Sequence, residues 1–186
     1  MEVGGTFDDC QRMVKEAFLD HDLRSSYLLT SANSINISRL VPQSFYYFRA
    51  CALLPEGAAP PCFIVPSGNF GNLTAGLLAK RMGLPVSRFI AATNANDVVP
   101  SYLSSGVFEP RPSVATISNA MDVGNPSNFW RMTALFGESL DAMKKEVIGF
   151  KAGEEETRRA MKACYTQSGY VLEPHGAVGY HAWHAL

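Results

Sequence analysis

The stretch Cys62-Phe63-Ile64-Val65-Pro66-Ser67-Gly68-Asn69-Phe70-Gly71-Asn72 opens on an apolar run of strand length and closes on a tight turn. Leu73, Leu77, Leu78 and Met82 then mark a helix, which Gly83 and Pro85 stop. Phe89 to Thr93 is a second apolar run of strand length. Strand, glycine-containing turn, helix and strand within roughly thirty residues form a βαβ unit. Such a crossover is right-handed and implies parallel strands with helices packed on the sheet. The predicted fold class is therefore α/β, a mainly parallel sheet flanked by helices.

Working outward, Thr6 caps a helix, with Asp9 three residues on as in a capping box. Phe7, Cys10, Val14, Ala17 and Phe18 give that helix one apolar face, and Asp20-His21-Asp22 ends it. Tyr27 to Thr30 reads as a short buried strand, Ser31 to Ser34 as a polar loop, and Ile35 to Leu54 as a helix interrupted at Pro42. Pro55 to Pro61 reads as a surface connection. Downstream, Val98 to Ser105 reads as a helix closed by Gly106, and Val114 to Ile117 as a strand. Asn125-Pro126 reads as the N-cap and first residue of a helix to Phe136. Helices over Glu138–Val147 and Glu154–Gln167 follow, the second with acids at its start and Gly169 as its stop. Tyr170 to Leu172 reads as a strand, and a last helix starts at His175. Val3-Gly4-Gly5 resembles the tail of a strand and Leu186 falls inside a helix, so both ends read as cut from a longer protein.

Of the 186 residues 47% are hydrophobic and 18% charged, enough for a buried core and unlike a disordered tail. Sixteen Lys and Arg against seventeen Asp and Glu leave a net charge of −1, which speaks against a nucleic-acid binder. No apolar run reaches about 18 residues, so no membrane span is expected. No secretory signal pattern opens the chain. Cys10, Cys51, Cys62 and Cys164 form no CxxC pair, and the expectation is reduced, buried thiols in a cytoplasmic setting.

The turn from Gly68 to Asn72 lies between the C-terminal end of a strand and the N-terminus of a helix. There unpaired backbone N–H groups and the positive end of the helix dipole converge, a setting for phosphate. The glycines let the backbone approach closely, and Asn69 and Asn72 can donate side-chain hydrogen bonds. No Lys or Arg stands in the turn, which fits a small phosphoester better than a nucleoside triphosphate. The Gly-Lys-Ser/Thr of a P-loop is absent, Gly76 is out of register for a dinucleotide fingerprint, and Asp97 comes late. On pattern alone, a phosphate site and an ordinary glycine-rich turn fit equally well. His181 and His184 could share a helix face, but no carboxylate completes a ligand spacing, so no metal is expected. Lys144-Lys145 and Arg158-Arg159 read as solvated helix faces, and Phe45 to Phe48 as core.

Six segments, in order and spread over nearly the whole chain, carry a resemblance. They begin with Gly5-Thr6-Phe7-Asp8-Asp9-Cys10-Gln11, then Ser31-Ala32-Asn33-Ser34-Ile35-Asn36 with Arg39 and Pro42-Gln43. Gly68 to Asn72 and Asn94-Ala95-Asn96-Asp97 follow. Met121-Asp122-Val123-Gly124-Asn125-Pro126-Ser127-Asn128 and Pro174-His175-Gly176-Ala177 complete the set. Together they resemble the threonine synthase family, pyridoxal-phosphate enzymes with the tryptophan-synthase-β-like fold.

The resemblance implies conversion of O-phosphohomoserine and water to threonine and phosphate, with pyridoxal phosphate as cofactor. It implies a cradle for the cofactor phosphate at Gly68, Asn69, Phe70 and Asn72, with Gly71 shaping the turn. It also implies a segment near the substrate, for which Asn33, Ser34, Asn36 and Arg39 are candidates; capping the following helix is their alternative role. By the same resemblance, residues 1–29 are a remnant of the small domain and 30–186 part of the large cofactor-binding domain. The family's Schiff-base lysine would lie upstream, and none of Lys15, Lys80, Lys144, Lys145, Lys151 and Lys162 sits in a matching motif. No catalytic residue is therefore assigned, and the isolated chain is expected to be inactive. Two other readings stay open: a related phospholyase acting on another phosphorylated amino acid, and a non-catalytic phosphate-ligand or interaction module.

Overall fold

Cys62–Pro66 forms β1, Arg88–Thr93 forms β2 and Val147–Lys151 forms β3 in the computed structural model, which describes residues 3–33 and 36–186. The strands pair in parallel in the order β1-β2-β3, with Ile64 opposite Ile90 and Ile90 opposite Ile148. Ten helices surround them among the described residues: α1 (Phe7–Leu19), α2 (His21–Ser26), α3 (Ile37–Leu40), α4 (Ser44–Ala52), α5 (Gly71–Arg81), α6 (Val98–Ser105), α7 (Phe129–Leu135), α8 (Leu140–Glu146), α9 (Glu154–Ser168) and α10 (Pro174–Ala185). The expected βαβ unit is β1-α5-β2.

Alternation along the strands sends neighbouring residues to opposite faces. Phe63, Val65, Phe89, Ala91 and Val147 pack with Tyr47, Leu73, Leu77, Val99, Phe129 and Met143 from the helices of one layer. Ile64, Ile90, Ala92, Ile148 and Phe150 pack with Val178 and Ala182 of α10 on the other. Both faces are covered, which is why β1 and β2 read as unbroken apolar runs.

Several elements differ from the sequence reading. The spacing predicts a helix running to Val147. Instead Ser139 caps α8, and the chain becomes extended at Val147 to supply β3 beside β2. Three expected strands do not form. Tyr27 and Leu28, and likewise Tyr170 and Val171, face solvent and join no sheet among the described residues. In 114–117 the N–H groups of Val114, Thr116 and Ile117 donate to the side chains of Asn96, Asp122 and Glu154 instead of to a strand.

Pro42 does interrupt its helix: a single 3-10 turn, Val41–Gln43, separates α3 from α4. Thr6 and Asp9 make both bonds of the capping box, but Asp20 also caps a second helix, α2. The predicted apolar face of α1 stays largely open, since Phe7 and Val14 are exposed and the helix buries only Gln11. Phe45 and Tyr46 are exposed too, leaving Tyr47 as the core member of that aromatic run. All four cysteines are free; Cys164 is buried and Cys62 exposed, so the expectation of buried thiols holds only in part. Among the described residues no helix is long and apolar enough to cross a membrane.

Candidate functional site

The turn after β1 is shaped from both sides. Ser67 N–H donates to the Ala92 carbonyl at 2.8 Å, carrying the ladder one residue past the strand. Gly68 follows where the backbone of Met121 crosses: a Cβ there would stand 2.7 Å from the Met121 Cα, so no side chain fits. Phe70 takes the left-handed conformation, φ 59°, at the N-cap of α5. For a residue with a Cβ this costs about 1–2 kcal/mol. Its ring is 3% exposed in the main core cluster, and that burial holds the conformation in place.

No side chain caps α5. Its first backbone bond runs from Thr74 N–H to the Phe70 carbonyl at 2.9 Å, so the N–H groups of the first turn have no acceptor within the helix. A left-handed residue leading into uncapped helical N–H groups makes an anion-binding concavity.

The two asparagines serve this turn through their oxygens. Asn69 Oδ1 accepts from Ser127 N–H at 2.7 Å and from the Ser127 hydroxyl at 2.9 Å, while Asn128 Nδ2 donates to the Asn69 carbonyl at 2.9 Å. The Tyr47 hydroxyl donates to Asn72 Oδ1 and to the Asn72 carbonyl, the latter at 3.0 Å. Burial pushes the Tyr47 phenol well above its ordinary range, so it remains a donor at all ordinary pH. Asn69 and Asn72 thus brace the turn through their oxygens, a role the sequence reading did not assign; the expected donor role belongs to their Nδ2 groups. Beside Asn72 a cavity of about 530 Å³ opens along the free edge of β1, with Tyr47, Pro66, Glu173 and His175 in its wall. That volume suits a small ligand.

Sequence reasoning missed the roles of three neighbouring groups. Asp122 Oδ1 accepts from Asn94 Nδ2 (2.8 Å), Asn96 Nδ2 (3.0 Å) and the Thr116 hydroxyl (2.7 Å), and its Oδ2 accepts from Thr116 N–H (2.9 Å). This cluster fastens the 114–122 segment over the C-terminal end of β2 and so sets Met121 against Gly68. Asp97, at the start of α6, pairs with Arg111 and with Lys151. Glu173 caps α10 and holds the His175 ring, whose Nε2 accepts from Ala120 N–H at 3.1 Å. The available signal was the recurrence of Asn and Asp just beyond an apolar strand, where side chains must replace ladder bonds. α7 starts later than the sequence predicts, at Phe129, and the Ser127 N–H just before it donates to Asn69.

The weaker candidates fold their own loop. Asn36 accepts from Ser38 N–H at 3.0 Å as the cap of α3, and its Nδ2 donates to the Ser31 carbonyl at 3.0 Å. Arg39 Nη1 donates to the Ala32 carbonyl at 2.6 Å, and Asn33 accepts Asn36 N–H on its carbonyl. Ser34 lies outside the described residues. Because α3 packs on α5, this loop sits beside the helix that carries the turn. Lys80 lies at the other end of α5, paired with Glu146 at 3.4 Å.

A family model described as pyridoxal-phosphate dependent enzyme matches residues 1–186. The chain belongs to that family. It is 52% identical over 181 residues to a threonine synthase of Serratia marcescens, a match covering 97% of this chain and 42% of that protein. A crystal structure of threonine synthase from Escherichia coli superposes with a TM-score of 0.91 at 48% identity, over 100% of this chain and 43% of that one. The pyridoxal-phosphate-bound threonine synthase from Brucella melitensis gives 0.83 at 34% identity, over 98% and 44%. The chain thus spans less than half the length of these relatives.

The turn fits the phosphate of the family's cofactor. Its donors are the backbone N–H groups at the uncapped start of α5, and it contains no carboxylate to repel an anion.

Proposed function

We propose that these 186 residues supply the cofactor-phosphate part of a threonine synthase, an enzyme that converts O-phosphohomoserine and water into threonine and phosphate. The observation that carries this reading is the uncapped start of α5 behind the left-handed Phe70, on a chain about half identical to proteins named threonine synthase. Pyridoxal phosphate bound there supplies the electron sink for the reacting carbons.

In this reading Gly68, Asn69, Phe70, Gly71 and Asn72 hold the cofactor phosphate through backbone N–H groups. The Asn69 side chain keeps 127–128 against the turn, and Tyr47 keeps Asn72 in place. Asn33, Ser34, Asn36 and Arg39 are the candidates for contact with the substrate, with the Arg39 guanidinium suited to its phosphate or carboxylate. Residues 1–29 belong to a small domain and 30–186 to the large one. No lysine of this chain takes the catalytic role, and the free thiols suit a reducing, cytoplasmic setting.

Amide NMR of the chain titrated with pyridoxal phosphate, inorganic phosphate and phosphate-free pyridoxal tests the cradle. The Gly68–Asn72 signals should move with the first two and not with the third. Unmoved signals refute the cradle. For the reaction, the 186 residues should replace the matching stretch of the Escherichia coli relative. That chimera should release phosphate from O-phosphohomoserine while the chain alone releases none. A folded chimera that acts only on another phosphorylated amino acid refutes the assigned substrate.

A further inference from the structure

His175 ties the start of α10 to the segment that backs the turn. Asn119–Met121 is a single 3-10 turn, and Ser118 at its N-cap gives it no side-chain bond. Ala120 N–H, one of the donors left over at its start, goes to His175 Nε2 at 3.1 Å. The next residue is Met121, whose Cα would stand 2.7 Å from a Cβ on Gly68. The imidazole thus adds to the hold of Asp122 on the backbone behind the glycine.

The state of the ring follows from its partners. Glu173 faces Nδ1 and accepts the N–H groups of His175 and Gly176. Burial raises the Glu173 pKa, but these bonds lower it further, below its ordinary 4.5, so it is an ionised acceptor. Nδ1 must then carry the proton, and Nε2, which accepts, must be bare. A second proton would set an N–H on Nε2 against Ala120 N–H, donor facing donor. An imidazole takes up that proton between about pH 8 and pH 5. The other titratable groups around it are Tyr46 and Tyr47 of α4, in the same cavity wall, and the carboxylates that hold 116–117. Those are Asp122 and, from α9, Glu154, which pairs with Arg158.

We propose that His175 is a positioning residue for the phosphate turn, a latch whose bare Nε2 holds 119–121 behind Gly68 and releases it on protonation. The proposal rests on the reading of Gly68–Asn72 as a phosphate cradle. Release frees Met121 to move off the glycine and loosens the turn, so anion affinity falls as pH falls. Protonation also removes one negative charge from the Glu173–His175 pair, which works the other way and is screened by salt.

Amide NMR of the full chain titrated with sulfate at pH 8 and pH 5, in 0.15 M NaCl, tests the latch. Sulfate keeps its charge over that range, whereas a phosphate monoester does not. The parent should bind sulfate about three- to tenfold more weakly at pH 5, the worth of one neutral hydrogen bond. His175→Gln puts a non-titrating acceptor at the Nε2 position and should bind at both pH values as the parent does at pH 8. His175→Phe offers no acceptor and should bind weakly at both. Parent binding that is unchanged or tighter at pH 5, or pH dependence that survives in His175→Gln, overturns the latch. Sulfate bound at neither pH refutes the cradle instead, and the latch is then decided without ligand. Ring nitrogen shifts should show a bare Nε2 at pH 8, and the Gly68 and Met121 amides should titrate with the ring in the parent but not in His175→Gln. A protonated Nε2 at pH 8, or amides that ignore the ring, overturns the latch whatever sulfate does.

Discussion

Asp122→Asn is the substitution that most directly tests how the site is held. The carboxylate takes four donors: three on Oδ1, from Asn94, Asn96 and Thr116, and one on Oδ2, from the Thr116 backbone. In the better orientation of an asparagine, the amide oxygen replaces Oδ1 and the new NH₂ points at Thr116 N–H, donor against donor. One bond to a charged acceptor is lost and three become neutral. A bond to a charged group contributes about 1.5–3 kcal/mol, and a neutral one roughly half that. Because Asp122 is only partly buried, the low end applies, about 4 kcal/mol. For a chain of this length that is a fall in Tm of roughly 8–16 °C. Thermal unfolding followed by circular dichroism measures it, and amide exchange should quicken at Val114 and Thr116 well before the core. Asp122→Glu keeps the charge and should fall between the two. An asparagine variant melting within about 2 °C of the parent would refute the argument that side-chain bonds replace the missing strand at 114–117.

Gly68→Ala should cost about 1–3 kcal/mol, because its Cβ meets backbone at Met121 that cannot rotate away. The phosphate-induced shift of the turn amides should weaken with it; an unchanged melt means the 118–122 segment yields. Tyr47→Phe should cost about 1–2 kcal/mol by stripping Asn72 of its donor, read as a lower denaturant midpoint. Glu173 is raised by burial but lowered further by the Gly176 and His175 N–H groups and the His175 ring, so its pKa lies below its ordinary 4.5. Its contribution is therefore present above the ordinary carboxylate range and lost as pH falls through the folded-state value. The parent should lose stability below about pH 4.5 more steeply than Glu173→Gln, and parallel profiles would remove Glu173 from the account.

What the sequence discloses, and what it hides, follows the source of the backbone's partners. Where the chain bonds to itself at fixed spacing, the pattern is readable. The Thr6–Asp9 box, the Gly83, Gly106 and Gly169 stops, and the β1-α5-β2 unit are examples. Where a distant side chain takes the backbone, local pattern misleads. Val114 to Ile117 has the composition of a strand, yet its N–H groups go to Asn96, Asp122 and Glu154. Asn125-Pro126 has the form of a helix start, yet the helix begins at Phe129, after Ser127 has bonded to Asn69. β3 stays hidden for a related reason: Val147-Ile148-Gly149-Phe150-Lys151 follows a helix without a break, and only the open edge of β2 makes it a strand. The uncapped N–H donors of the turn are readable in the sequence because they are local. The direction of Asn69 and Asn72 is not, since Ser127 and Tyr47 set it from 58 and 25 residues away.

This division bears on how the turn can select its ligand. Asn69 and Asn72 accept bonds through their oxygens and no cation stands in the turn, so an anion there would meet neutral N–H donors, the backbone's first, and the end of a helix dipole. Such donors are fixed in direction and pay little entropy on binding, but they supply only about half an elementary charge. Selectivity then rests on shape: the gap left by Gly68, the left-handed turn at Phe70, and the position of the 114–128 segment. Each of these depends on a support behind the turn, namely Met121 behind the glycine, the core around the Phe70 ring, and Asp122 beneath the loop. A neutral cradle of this kind is tuned by its supports. Substitutions at Asp122 or Tyr47 should therefore alter phosphate affinity at the turn even though neither side chain need meet the anion.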